Sequence, residues 1–248
     1  RELAQNSMDA GTPRVDVVLE YEDKSETEQE AAGVLSVHVI DYGEGMDEKI
    51  IDNQLTRLFS SNKENDMTKI GKFGIGFTSI FAIKPDAVLL QTGRHGENWE
   101  LVFHPDRSYE KRKVDTSYSG TKITLFKRMT PDSARAFAKE AHFVLTYWCE
   151  HSQIPIQFED KLFQKVETTS GSRAEDPFAA FDMVSDETGP ERIDGPLRLD
   201  GVDLVIEQQD ADWHLVLGYS ERPHYGFYNG GLTLVSSHNP DVLGSFQE

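Results

Sequence analysis

The sequence predicts an α+β two-layer α/β sandwich, with helices packed on one side of an antiparallel or mixed sheet. Three observations lead there. Helical and strand-like segments fall in separate runs instead of alternating. The strand-like segments alternate apolar and polar residues, as half-buried strands do. One long segment after Thr130 carries an apolar stripe at helical spacing.

The chain opens on "RELAQNSMDA", a helical pattern in which Glu2, Asn6 and Asp9 recur at offsets of four and seven. At 100° per residue they share roughly 60° of arc. Leu3 and Ala10 repeat the i, i+7 relation on a neighbouring face, so the helix can bury an apolar stripe while its polar face looks into a pocket. "RVDVVLEY" then places Val15, Val17, Leu19 and Tyr21 on one side of a strand. After the acidic loop "EDKSETEQEAA", a second strand, "VLSVHVID", ends at Asp41. "KIIDNQLTRLF" spaces Ile51, Leu55 and Leu58 as a helix, the polar stretch "SSNKENDMT" follows, and "GKFGIGF" leads into a short apolar helix, "TSIFAI".

Strands come next in "AVLLQT", "NWELVFH" and "TKITLF". Thr130 as N-cap and Pro131 at the first helical position begin a helix. Its stripe is Ala134, Phe137, Ala138, Ala141, Val144, Leu145 and Trp148. Residues 166–196, rich in Ser, Gly, Pro and acids, read as a linker or long loop between a domain at 1–165 and the beginning of another at 197–248. In that last part "VDLVIEQ", "WHLVLGY" and "GLTLVSS" are strand-like, with "RPHYGFYNGG" a turn between the last two.

Composition narrows the functions open to such a chain. Lys and Arg number 25 against 43 Asp and Glu, a formal net charge of −18. That repels a nucleic-acid backbone unless basic residues cluster, and "EKRK" at 110–113 is the nearest approach to a cluster. The single cysteine, Cys149, allows no internal disulfide and fits a reducing, cytoplasmic location. No apolar run reaches membrane-spanning length. The first residues already lie within a helical pattern, which reads as a fragment of a longer protein.

Beyond the first helix, chemistry collects at two places. Asp41 stands where a strand gives way to the loop "DYGEGM". A carboxylate there can accept from the exocyclic amino group of a base, with Gly43 and Gly45 leaving room for the ring. The same Asp-x-Gly-x-Gly pattern also builds ordinary turns. "GKFGIGF" puts Gly71, Gly74 and Gly76 ahead of a helix, where backbone N–H groups bind phosphate oxygens, although such a segment equally serves as a hinge. It lacks the Gly-Lys-Ser/Thr ending of a Walker loop and the Rossmann spacing. His38 and His142 have no accompanying metal-ligand cluster and read as packing residues.

Taken in order, Glu2/Asn6/Asp9, "DYGEGM", "GKFGIGFTSIFA" and "GTKITL" with Thr121 resemble the four motifs of the GHKL ATPase superfamily, which includes gyrase, the heat-shock protein 90 chaperones, sensor histidine kinases and MutL. The resemblance covers about residues 1–165 and is nearest to the chaperones. It implies the Bergerat-type fold, helices on one face of a mixed, mostly antiparallel sheet, followed by a strand-rich second domain. It also implies ATP and Mg²⁺ as cofactors. Glu2 would be the general base toward water, Asn6 the Mg²⁺ ligand, and Asp9 a pocket-lining residue. Asp41 would bind the adenine amino group with Thr121 assisting through water, and Met46 would pack on the base. The backbone of Gly71, Phe73, Gly74, Ile75, Gly76 and Phe77 would hold the β- and γ-phosphates. Residues 56–72 take the place of the family's ATP lid, from which Lys63, with Lys72 as a weaker candidate, would reach the terminal phosphate as a point charge.

The function implied is slow Mg²⁺-dependent ATP hydrolysis coupled to lid closure in a chaperone-like homodimer acting on protein clients. Two alternatives share the site. One is a MutL- or topoisomerase-type ATPase acting on nucleic acid, against which the acidity argues. The other is a non-catalytic ATP-sensing module, against which Glu2 argues.

Overall fold

The computed structural model describes residues 2–23, 33–56, 77–163, 190–193, 203–210, 214–221, 224–229, 231–239 and 241. Lys63, Gly71, Lys72, Phe73, Gly74, Ile75 and Gly76, the lid stretch beyond Thr56, and most of the expected linker lie outside these residues.

Helix α1 (Glu2–Asp9) leads into β1 (Val15–Glu22) and β2 (Gly33–Asp41). α2 (Glu48–Ile50) is capped by the Asp47 carboxylate, which accepts from Ile50 N, and continues as a π-helical turn over Ile51–Leu55. The periodicity of "KIIDNQLTRLF" is thus honoured at Ile51 and Leu55, both buried, in a wider turn than an α-helix; Leu58 is outside the described residues. "TSIFAI" is likewise tighter than expected, a 3₁₀ turn at Ser79–Ile83 that ends on a left-handed Lys84. Short apolar stretches have too few turns to make the α form dominate over these variants.

β3 (Ala87–Arg94), β4 (Glu97–Phe103), β5 (Tyr109–Lys113) and β6 (Gly120–Met129) follow, then α3 (Pro131–Cys149), β7 (Ile156–Lys161) and the two-residue β8 (Glu191–Arg192). They form an eight-stranded sheet in the order β5-β4-β3-β6-β2-β1-β7-β8. Every pairing is antiparallel except that of β1 with β7, which α3 connects across from β6. The mixed, mostly antiparallel sheet is therefore as expected. β5 and β7 carry too many charges to stand out as strands, and β8 lies inside the stretch read as linker.

Val15, Val17 and Leu19 face the helical layer together with Leu35, Leu90, Leu101 and Phe103. A fully buried side chain of this kind stabilises the fold by about 1.5–3 kcal/mol. α3 starts as the sequence indicates, with Thr130 Oγ1 accepting from Ser133 N at 3.3 Å and Pro131 just inside. Ala134 and Ala138 are buried, and Phe137, Ala141, Leu145 and Trp148 pack at the core margin. Val144 departs from its expected stripe: it is exposed, beside Phe143 and Tyr147 on the outer face. His38 and His142 are packing residues. His38 sits between Thr124 and Glu20, and His142 bonds Glu191 with its ring edge-on to Phe158.

Beyond the main sheet, β9 (Asp203–Gln209) pairs with β10 (His214–Tyr219), and β11 (Tyr225–Asn229) with β12 (Leu232–Ser237). The expected turn "RPHYGFYNGG" is in part a strand, because Tyr225–Asn229 pair with the alternating residues of β12, and its aromatic residues suit a pleat. This hairpin rests on the end of α3. Leu232 and Thr233 are buried, Thr233 Oγ1 donates to the Tyr147 carbonyl at 2.9 Å, and Tyr228 packs edge-on against His151. Among the described residues no helix is long and apolar enough to cross a membrane.

Candidate functional site

At one end of the sheet, β2, β6 and β3 present two consecutive rows on the helical side. Asp41 pairs with Thr121, which pairs with Thr92; Val39 pairs with Ile123, which pairs with Leu90. Because side chains alternate along a strand, both rows face the same way. They floor a cavity of about 270 Å³, with Thr92 lying just beneath. α1 supplies one wall through Leu3, Asn6, Ser7, Asp9 and Ala10, the loop after β2 another through Glu44, Gly45 and Met46. Ile50, Gln54, Leu55 and Phe77 close the far side.

Asp41 is 8% exposed. Its Oδ1 accepts from Gly43 N at 3.0 Å and Thr121 N at 3.2 Å, and its Oδ2 from the Ser7 hydroxyl at 3.3 Å. Burial pushes its carboxyl above the usual range, against the lowering effect of those three donors. An apolar floor with one deep carboxylate suits a flat, mostly apolar ligand carrying an amino group.

Thr92 links the parts. Its hydroxyl accepts from Met46 N at 2.9 Å and lies 3.1 Å from both Thr121 Oγ1 and the Gly120 carbonyl, wholly buried. Met46 is thereby tied to the row that carries Thr121. The next residue along the chain from Asp41 is fastened from behind. Tyr42 N donates to Thr12 Oγ1, and Tyr42 Oη donates to Asp16 at 2.6 Å and accepts from Arg14 at 3.1 Å. Burial and that bond to Asp16 push the Tyr42 phenol up to about 12. α2 is held by Lys111, whose ammonium reaches Glu48 at 3.2 Å and Asp52 at 2.6 Å and lies over the Trp99 ring.

The glycines of "DYGEGM" also serve the packing of their own loop. A Cβ on Gly43 would stand 2.6 Å from the Ala10 carbonyl oxygen, and one on Gly45, whose φ is +67°, would run into the Gly93 carbonyl. They let the loop press against α1 and β3, and Gly43 is absent from the cavity wall. The structure thus brings Asn6, Asp9, Asp41, Gly45, Met46, Phe77 and Thr121 to one cavity. Glu2, half-buried one turn before Asn6, is not among the lining residues. Asp9 accepts from Gln5 Nε2 at 3.0 Å.

Three neighbours escaped sequence reasoning. Ser7 and Thr92 looked like ordinary polar residues within a helix and a strand. Arg94 lines the same cavity, its Nη2 donating to Glu44 at 2.6 Å. Only the position of Ser7, one residue after Asn6, carried a signal.

Residues 1–134 match the family model described as "Histidine kinase-, DNA gyrase B-, and HSP90-like ATPase", more than half of the chain. The chain belongs to this family. Among curated relatives of this ATPase-family chain, the chaperone protein HtpG of Nitrosococcus oceani is 31% identical over 117 residues, 43% of this chain and 18% of that protein. HtpG of Anaplasma phagocytophilum is 29% identical over 193 residues, 69% of this chain and 30% of that protein. The match therefore spans less than a third of either relative's length. Among solved structures, the Aquifex aeolicus MutL ATPase domain complexed with ADP superposes at a TM-score of 0.38 and 14% identity, covering 64% of this chain and 57% of that one. A superposition that loose carries no argument.

Proposed function

We propose that this ATPase-family chain binds ATP in the cavity over Asp41 and hydrolyses it slowly with Mg²⁺, as part of a heat-shock protein 90-type chaperone. The observation that supports it most is the buried Asp41 carboxylate beside Thr121 at the end of an apolar floor. In this reading the Asp41 Oδ2 accepts from the adenine amino group, the Thr121 hydroxyl bonds the ring edge through water, and Met46 packs on the base.

Asn6 and Asp9 offer hard oxygen donors on the α1 wall, which fits a magnesium ion, since Mg²⁺ takes one or two protein oxygens and draws the rest of its shell from phosphates and water. Asn6 would hold it, and when bound it neutralises charge on the phosphates. Glu2, at i−4 from Asn6 on the same helical face, would orient and deprotonate the attacking water. Gly71–Phe77 would hold the β- and γ-phosphates, and Lys63 would approach the terminal one.

ATP binding would close the segment at 56–72 and a homodimer, coupling nucleotide to a client's conformation. The likeness to two HtpG chaperones over the matched regions and the net charge of −18 favour protein clients over nucleic acid. Residues 1–165 would be the nucleotide domain and 197–248 the beginning of a transducer-like domain.

Calorimetry with Mg·ATP on the wild type, Asp41→Asn and Glu2→Ala, with turnover in parallel, tests the reading. Loss of binding in Asp41→Asn together with retained binding and lost turnover in Glu2→Ala is expected. A wild type that binds no adenine nucleotide refutes it.

A further inference from the structure

We propose that Arg94 is a specificity-determining residue that reads the base of the bound nucleotide. The inference rests on the nucleotide reading of the cavity.

Four charged side chains line the cavity among the described residues: Asp9, Asp41, Glu44 and Arg94. Arg94 is the one cation of the four, and the default partner of a cation in a nucleotide site is a phosphate. Its place in the sheet argues for the other end of the ligand. Arg94 lies two residues beyond Thr92 on β3, on the same face, and Thr92 pairs with Thr121, the neighbour of Asp41. At about 3.3 Å per residue it stands roughly 7 Å along the strand from that row. The glycine-rich segment meets the described structure at Phe77, whose ring packs 5.3 Å from that of Phe103. Phe103 pairs with Val88, six residues back along β3 from Arg94. Arg94 and Phe103 are thus about 20 Å apart along the sheet, and Phe77, the residue that follows the glycines, packs against the second.

Charge gives the same answer. Glu44 Oε2 accepts from Arg94 Nη2 at 2.6 Å, so the pair brings little net charge to the ligand. A guanidinium has five N–H donors in a fixed plane, more than one carboxylate engages. Neutralised in this way, Arg94 supplies directed donors instead of long-range attraction. Asp41 supplies an acceptor, its Oδ2, to the same cavity. An acceptor and a set of donors lining one cavity suit a base that carries both an amino group and ring nitrogens, as adenine does. β6 begins at Gly120, level with Gly93, so no strand on that side covers Arg94.

The test measures the Kd of ATP, 1-deaza-ATP, 3-deaza-ATP, 7-deaza-ATP and tripolyphosphate for the wild type, Arg94→Ala and Arg94→Gln. Each deaza analogue replaces one ring nitrogen by C–H. The expected result is that one analogue binds the wild type about tenfold more weakly than ATP, as loss of a hydrogen bond to a charged group implies. Both variants should then bind ATP and that analogue alike, with tripolyphosphate binding unchanged. If both variants keep the wild-type ratios, or lose tripolyphosphate binding along with ATP, Arg94 does not read the base. A wild type that binds no ATP fails at the earlier step and refutes the nucleotide reading itself.

Discussion

The Oδ1 of Asp41 accepts a hydrogen bond from the backbone N–H of Thr121 at 3.2 Å, joining the last residue of β2 to the second residue of β6. With Gly43 N on the same oxygen, Oδ1 is occupied by backbone, and Oδ2 is shared between Ser7 and whatever fills the cavity. A ligand amino group needs that oxygen ionised, and burial raises the carboxyl above its ordinary value. Nucleotide affinity should therefore fall as pH drops through a midpoint above about 3.9, the unperturbed aspartate value. Calorimetric titrations between pH 4 and 8 would show it. An affinity flat across that range would exclude Asp41 as the acceptor.

The same shift fixes a sign for stability. Between the unfolded pKa of Asp41 and its higher folded value, the native state binds more protons than the unfolded one, so stability declines as pH rises through that window. Above it Asp41 is a standing cost to the free protein. Asp41→Asn removes the buried charge and keeps an oxygen for Gly43 N and Thr121 N. Its Tm at pH 7.5 should equal or exceed that of the wild type, and the difference should shrink toward pH 4. A large drop in Tm at pH 7.5 would mean that the ionised carboxylate stabilises the fold.

Gly120 has φ +83°, and a Cβ there would run into the Asp41 carbonyl oxygen. Gly120→Ala combines a left-handed backbone with a clash against main chain that cannot swing aside, a loss expected to exceed about 2 kcal/mol. Urea denaturation measures it. Gly96→Ala is the control, since its φ is also positive, at +79°, but open space surrounds the added methyl.

Thr92→Val deletes a hydroxyl that satisfies Met46 N and keeps the volume. The stranded amide should cost about 1–3 kcal/mol. Because Met46 lines the cavity, adenosine affinity should fall with it. Thr92→Ser, which keeps the hydroxyl, should recover most of the affinity; equal loss in both variants would point to packing as the cause.

Tyr42→Phe breaks the bonds to Asp16 and Arg14 behind the Asp41 loop. Asp16 is buried, and its Oδ1 has no hydrogen-bond partner among the described residues. Removal of the phenol leaves the carboxylate with Arg14 alone, and a drop of about 1–3 kcal/mol follows from leaving a buried charged group less satisfied. Thermal unfolding of Tyr42→Phe against wild type would reveal it.

How much of this was legible beforehand depends on how local each signal is. The Thr130 cap and Pro131 signalled the start of α3 from within four residues, and alternation signalled β1 and β2 from within eight. Val144 was misplaced because a helix of 19 residues meets the core along only part of its stripe, and the covering surface comes from other elements. Tyr225–Asn229 read as a turn because the three glycines and the proline of "RPHYGFYNGG" outweighed a pairing that β12 supplies. Gly43 and Gly45 drew attention as room for a ring, and what no local pattern showed is that their missing side chains also make room for Ala10 and Gly93.

By itself the sequence determined the residue types at the site, the order of the motifs and the helical or extended character of most elements, since these depend on spacing within a few residues. Tertiary structure decided that β7 joins β1 in parallel, that the Thr92 hydroxyl meets Met46 N, and that Arg94 lines the cavity paired with Glu44. Those facts depend on which strands pair and in what register, and pairing is set by burying one shared face across residues as far apart as Asp41 and Thr121.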